Sequence, residues 1–322
     1  MMNNKSGSLV ISLDFEMFWG MRDKHTIASY GNNIKNEHNV IPQILALFQK
    51  YKIHATWAIV GFLFCANKDE IVQTTPEFTP TYQNEALNPY PYIQKIGFNI
   101  NDDPYHYVGN LIELIKNTPN QEISTHTFSH YYCLEAGQSI NQFNSDLDSA
   151  INIAKKYNID IKSIVFPRNQ YNDVYLAECQ KRGICIYRGN EDHFAYRSYN
   201  AAGNTKFKRI FRLFDAYINL SGHHTYKITN KNGLVNVSSS RFLRPFLPRL
   251  KWLEWLKLRR IYKSMEYAAK NNEVFHLWWH PHNFGSNITE NLLNLEKILQ
   301  YYAVLESKYG MQSSSMSDCI NN

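Results

Sequence analysis

Short apolar runs of strand length alternate with longer stretches of helical periodicity along this chain, and that alternation limits the folds open to it. "SLVISLDFE" reads as a first strand, "VIPQILALFQKY" as a helix and "ATWAIVGF" as a second strand. After a long irregular stretch, "YVGNLIELIK" reads as a helix leading into the strand "EISTH". The series continues with helix "INQFNSDLDSAINIAKKY", strand "SIVFP", helix "VYLAECQKRG" and strand "ICIYRG", and later strand "VFHLWWH" with helix "NLLNLEKILQYYAVLESKY". Successive βα units predict an α/β fold with a parallel sheet or barrel, whose reactive groups collect at the C-terminal ends of the strands. At 322 residues and 44% hydrophobic content, the chain can bury one large core or two smaller ones.

Polar residues fall at those strand ends. The first strand ends in "LDFEMFWG", where Asp14 and Glu16 are two apart and project to the same side of an extended chain. The third leads into "STHTFSHYYC", with His126 and His130 four apart, a spacing that lets two imidazoles share one face of a helical turn and hold one cation. The fourth ends in "FPRNQYN" with Arg168, and the last in "LWWHPHNFG" with His280 and His282. A carboxylate with two imidazoles suits a divalent transition metal, zinc above all, with positions left for water and substrate. Each feature alone also has an ordinary reading: a solvated loop start, surface histidines, a surface ion pair, strand histidines bonded to backbone carbonyls. Their joint occurrence at strand ends favours a site.

These residues resemble the NodB-homology polysaccharide deacetylases, metal-dependent carbohydrate deacetylases built as a distorted (β/α) barrel. The family's strand-end acidic pair, His-[Ser/Thr]-x-x-His, Arg-Pro-Pro-Tyr-like turn and Leu-x-x-His look in order like "DFE", "HTFSH", "RNQY" and "LWWH", from Asp14 to His280. The resemblance implies one deacetylase domain over residues 1–309, with a long irregular insertion at 67–107 after the second strand. It implies a divalent metal, Zn2+, held by Glu16, His126 and His130, with Asp14 as general base and His280 as the acid that protonates the departing amine. Arg168 is expected to pair with Asp14, and the backbone N–H of Tyr171 to share the oxyanion. Two departures stand out: Phe15 separates acids that are usually adjacent, and the prolines of the Arg turn are missing. The reverse assignment of Asp14 and Glu16 stays open, because both share a face. His282 is a second C-terminal histidine, and His280 is preferred because it completes Leu-x-x-His.

The implied activity is removal of an N-acetyl group from a sugar of a bacterial surface polysaccharide or of its lipid- or nucleotide-linked precursor. Alternatives are hydrolysis of a small ureide-like amide and a catalytically silent carbohydrate-binding protein. Trp19, Trp278 and Trp279 flank the proposed catalytic residues, where they suit sugar faces or a core equally. The 67–107 insertion reads as a wall or lid over the metal, or as a surface excursion. Residues 241–270 form a basic aromatic helical segment; "RFLRPFLPRLKWLEWLKLRRIYK" holds eight Lys or Arg and one Glu, while the whole chain nets +6. On a helix from Arg249, Trp252, Trp255, Leu256, Ile261 and Met265 make one side and Lys257, Arg260 and Ser264 another, suiting an anionic membrane surface, a lipid-linked glycan or a barrel helix with a solvated basic face. No nucleic-acid-binding motif accompanies the charge, so nucleic acid is not an expected partner. Lacking an apolar stretch of about twenty residues and a signal-peptide core, the chain reads as cytoplasmic, with peripheral attachment at the inner membrane face if the basic segment binds lipid. Residues 310–322 read as a disordered tail.

Overall fold

Strand β1 (Ser8–Phe15) is buried along its entire length, as a strand covered on both faces must be. The computed structural model describes residues 6–197, 200 and 203–320. The further strands are β2 (Ala55–Ile59), β3 (Gln121–Thr125), β4 (Ser163–Ile164), β5 (Ile186–Tyr187), β6 (Thr229–Lys231), β7 (Leu234–Asn236), β8 (Arg241–Phe242), β9 (Val274–Trp279) and β10 (Gln312–Ser314). They run in the order β6-β7-β5-β4-β3-β2-β1-β9-β8, with β10 beside β1. Among them only β6 and β7 are antiparallel. The chain between β7 and β8 closes the curl: Val237 and Ser239 donate to the carbonyls of Tyr187 and Gly189, and Ser240 then donates to that of His276. One continuous segment thus bridges β5 and β9, and the sheet is a distorted (β/α) barrel.

Helices α1 (Ile27–Lys35), α2 (Glu37–Lys50), α3 (Lys68–Gln73), α4 (Leu111–Asn117), α5 (Ile140–Lys156), α6 (Asp173–Lys181), α7 (Lys206–Asp215), α8 (Glu254–Asn271) and α9 (Ile288–Tyr309) complete the fold. Their ends follow local chemistry. Ser139 and Gln142 exchange side-chain and backbone hydrogen bonds in a capping box that starts α5, and Gly310, at φ +69°, ends α9 in the left-handed conformation that glycine adopts freely.

The period of two along each strand sorts core from site. In β1, Leu9, Ile11, Leu13 and Phe15 join the large core that includes Ile41 and Ile44 of α2 and Leu295 and Ile298 of α9. The alternate residues Val10, Ser12 and Asp14 therefore point into the barrel. In β9, Phe275, Leu277 and Trp279 belong to that same core, which leaves His276 and Trp278 for the interior. The floor of the barrel is Val10, Ala58, Val165, Ile186 and Val235, packed with Met316 and Cys319.

That packing corrects the expectation of a disordered tail. The segment pairs with β1 through β10 and inserts Met316, fully buried, beneath the barrel; burying a methionine contributes about 1.5–3 kcal/mol. Residues 321–322 lie outside the described residues. The basic segment is also corrected. Its helix starts at Glu254, after a 3-10 turn at Pro248–Leu253, and Lys257 and Arg260 are 2% and 4% exposed. Lys257 Nζ lies 2.7 Å from Glu254 Oε2 and donates to the Arg244 carbonyl at 2.9 Å. Arg260 donates to Ser264 Oγ and the Gly222 carbonyl. The expected lipid-facing cations are inside, because buried acceptors await them there, and Trp252 and Trp255 are outside. Among the described residues no helix is long and apolar enough to cross a membrane. The 67–107 insertion packs on the neighbouring loops: Trp19 Nε1 donates to the His106 carbonyl at 3.0 Å, and Tyr82 Oη accepts the Tyr132 N–H at 2.8 Å.

Candidate active site

Glu16 directly follows β1 and its carboxyl lies against Gly20, so closely that a Cβ at Gly20 would stand 2.1 Å from Glu16 Cδ. Four imidazoles converge on that carboxylate. The Nε2 atoms of His130 and His126 are 2.9 and 3.6 Å from Oε2, and those of His282 and His280 are 3.3 and 3.8 Å from Oε1. The donor atoms of Glu16, His126 and His130 all lie within 4.8 Å of one another, as do those of Glu16, His280 and His282. His126 and His130 do not sit on a helical turn, as their spacing suggested; both lie in the loop after β3. Thr127 and His130 adopt φ of +63° and +60° there, a costly conformation for a β-branched threonine. Asp146 of α5 offsets the strain by accepting the N–H groups of Phe128 (2.7 Å) and Ser129 (3.0 Å) and the Ser129 hydroxyl.

The protonation pattern suits a cation. His126 Nδ1 lies 2.7 Å from the Val165 carbonyl, which can only accept, so Nδ1 carries a proton and Nε2 is the atom turned toward Glu16. Burial pushes the His130 imidazole down to about 4, which keeps it neutral near pH 7. Its Nε2 lies 2.9 Å from Glu16 Oε2. Two buried imidazoles beside a buried carboxylate, one of them oriented by a carbonyl, make the N,N,O donor set that a divalent metal takes. Asp14 belongs to neither metal-capable group. Arg188 grips it through Nη1–Oδ1 at 2.6 Å and Nη2–Oδ2 at 2.8 Å. Burial pushes the Asp14 carboxyl up, but the Arg188 charge and its hydrogen bonds, with nearby imidazoles, hold it below its usual value.

A polysaccharide deacetylase family model matches residues 22–186, just over half of the chain. The chain belongs to the polysaccharide deacetylase family. Solved structures agree with this at the level of fold. A Mycobacterium smegmatis protein assigned to the polysaccharide deacetylases aligns with TM-score 0.59 at 11% identity, over 98% of this chain and 90% of its own. PuuE allantoinase aligns with TM-score 0.55 at 9% identity, over 99% and 91%. The 4-α-glucanotransferase of Thermococcus litoralis aligns with TM-score 0.56 at 12% identity, over 99% of this chain and 40% of its own. No curated protein matches the chain in sequence.

In this member of the polysaccharide deacetylase family the Asp14 partner is Arg188, which corrects the expectation for Arg168. The Pro167–Asn169 turn holds Arg168 and Asn169 at φ of +54° and +53°; from it Asn169 reaches Arg188 at 2.9 Å, while Arg168 bonds Asp23 and lies over the Tyr132 ring at 4.1 Å. The sequence signal for Arg188 is a charged residue directly after the buried strand "ICIY", at the reactive end of the barrel. His282 is another residue that motif matching undervalued. It is buried, Tyr30 Oη meets its Nδ1 at 2.9 Å, and its Nε2 lies nearer Glu16 than that of His126.

A cavity of about 630 Å³ opens above these groups. Tyr171 stays behind its wall, with its ring against Phe166 and Tyr187, while Arg168, Asn169 and Gln170 line the space. Of the three tryptophans only Trp278 faces the cavity, beside Phe242 and His280; Trp19 and Trp279 are buried in the core. No described residue of the 67–107 insertion lines it, so the surface-excursion reading is the one that fits.

Proposed function

We propose that the chain is a metal-dependent carbohydrate N-deacetylase that acts on an N-acetylated sugar of a bacterial surface polysaccharide or its precursor. The observation that carries this reading is the pairing of two buried carboxylates with opposite surroundings: Asp14 clamped by Arg188, and Glu16 ringed by four imidazoles. Glu16, His126 and His130 would hold a divalent metal, with Zn2+ suited to these donors, and such an ion supplies Lewis acidity to an acyl oxygen and acidity to a water.

The chain's own groups do the rest. Asp14, kept ionised and aimed by Arg188, accepts a proton from the attacking water. His280 is 3.8 Å from both Asp14 Oδ2 and Glu16 Oε1 and its side chain is 23% exposed, so it is placed to protonate the departing amine. The family's motif implies the Tyr171 N–H for the oxyanion, although it is Arg168, Asn169 and Gln170 of that turn, and not Tyr171, that line the cavity. Trp278 and Phe242 offer apolar faces to a sugar ring, and a cavity of about 630 Å³ exceeds the needs of a small ureide. Acetate release from a panel of N-acetyl sugars tests the reading: release by the metal-loaded protein that disappears in Asp14→Asn supports it, and equal release by both overturns it.

A further inference from the structure

The cavity is electrostatically unbalanced. Seven cationic side chains line it against three carboxylates; Asp14 is matched by Arg188, and Arg168, Arg197 and Arg241 have carboxylate partners in Asp23, Asp192 and Asp215. Arg241 is 4% exposed and bonds Asp215 through Nη1, while its Nη2 and Nε have no partner. Arg244, on the same stretch, lines the cavity with no hydrogen bond or ion pair to its guanidinium among the described residues, and burial pushes its pKa down. Arg209, exposed, reaches the cavity from α7, as does Arg212, whose guanidinium already donates to the Ala195 carbonyl and to Asn204 Oδ1. The half-buried Arg244 and the unpartnered Nη2 and Nε of Arg241 leave guanidinium donors over for an anion, and their planar geometry matches phosphate.

The opposite face of the same helix is apolar and in water. Phe207, Ile210 and Phe214, at i, i+3 and i+7, are 67%, 54% and 55% exposed. Ile218 and Leu220 beyond the helix are also exposed, as are Trp252 just before α8 and Trp255 in its first turn. Asp215 ties the two segments together, through Arg241 and at 3.8 Å from Arg260. Exposed Lys206, Arg249, Lys251 and Arg259 flank these apolar groups. Aromatic and aliphatic residues rimmed by cations make the profile of a helix lying in an anionic bilayer interface, and such a surface is seldom left in water without use.

We propose that the sugar is carried on a membrane-embedded polyprenyl phosphate. The Phe207–Ile210–Phe214 face of α7 lies in the bilayer, and Arg209, Arg241 and Arg244 hold the phosphate that joins sugar to lipid. A nucleotide-linked sugar would use the same arginines but leave the apolar face without a role. The proposal rests on the deacetylase reading for the fate of the sugar, whereas its binding part depends only on α7 and the arginines.

Vesicle flotation of the full chain tests the binding without requiring turnover. The vesicles are phosphatidylcholine alone, phosphatidylcholine with polyprenyl phosphate, and phosphatidylcholine with phosphatidylglycerol at equal surface charge. The protein is expected to float best with polyprenyl phosphate. The double variant Phe207→Ser/Phe214→Ser should lose flotation on both anionic vesicles while keeping its circular dichroism spectrum. Arg244→Gln should weaken binding to the polyprenyl phosphate vesicles alone, by about fivefold, the equivalent of the ~1 kcal/mol that one cation contributes at an anionic lipid surface. Equal flotation on the two anionic vesicles, or none on either, would overturn the proposal whatever the outcome of the acetate assay.

Discussion

Arg188 holds Asp14 by two parallel hydrogen bonds of 2.6 and 2.8 Å, and its side chain is fully buried in doing so. Its guanidinium also lies 4.2 Å over the Trp278 ring and bonds Ser12 Oγ at 3.0 Å. Arg188→Ala would strand a buried carboxylate, which costs about 3–5 kcal/mol and should appear as a lowered urea midpoint. Arg188→Lys keeps the charge but loses the fork, so it should fold and still turn over at least about tenfold more slowly. Arg168→Ala, which removes an Asp23 partner instead, should cost turnover less. If Arg168→Ala abolished turnover and Arg188→Lys left it intact, the pairing in the working enzyme would be the other one.

The metal prediction separates the two halves of the histidine cluster. His126→Ala and His130→Ala should each lose most bound divalent metal, by elemental analysis of purified protein, while remaining folded. His280→Ala should retain it and lose turnover, consistent with a proton-delivery role. Full occupancy in both His126→Ala and His130→Ala would dismiss that ligand set and leave Glu16, His280 and His282 as the alternative group.

Asp14 and Glu16 should part company in the same assay. Asp14→Asn is expected to keep metal and lower turnover by about 100-fold to 10,000-fold, the usual worth of a general base. Glu16→Gln should lose metal. The opposite pattern would exchange the two roles.

Much of this was legible because strand periodicity and site chemistry share one rule. Residues two apart face the same side, so "LDFE" placed Asp14 and Glu16 together; the tryptophans stayed undecided until the inward face of β9 was known, which puts Trp279 in the core and Trp278 in the cavity. The first five strands and β9 announced themselves by apolar runs. The short β7–β8 bridge did not, since polar residues such as Ser239 and Ser240 are held there by backbone partners rather than by burial of large side chains. Asp146 and Asp215 were invisible for a related reason, and the position of Arg188 after "ICIY" did not reveal its partner: a buried ion pair or loop anchor is defined by a residue far along the chain. The basic segment misled because long cationic side chains look solvated in sequence, while Lys257 and Arg260 find carbonyl and hydroxyl acceptors inside.

Asp215 gives a stability prediction with a definite sign. Burial pushes its carboxyl up, but Arg241, the hydroxyls of Ser221 and Tyr196, and Arg260 more than reverse this and hold it far below the aspartate value of 3.8. A carboxyl with a depressed folded-state pKa stabilises the fold above its unfolded value and loses that contribution as pH falls toward the folded one, so the urea midpoint should start to drop below about pH 5 and keep falling to the lowest pH reached. Asp215→Asn should start lower near neutral pH and show a shallower fall over the same range. An unchanged slope in the variant would mean that other carboxylates carry the acid sensitivity.

The most direct test of the central claim is acetate release from an N-acetylated sugar by one preparation measured three times: loaded with Zn2+, stripped by chelation, and reloaded. Release in the first state, loss in the second and recovery in the third are the results the account predicts. A protein that binds the sugar and takes up one metal per chain yet releases no acetate, or one that releases acetate equally well when stripped, would contradict it.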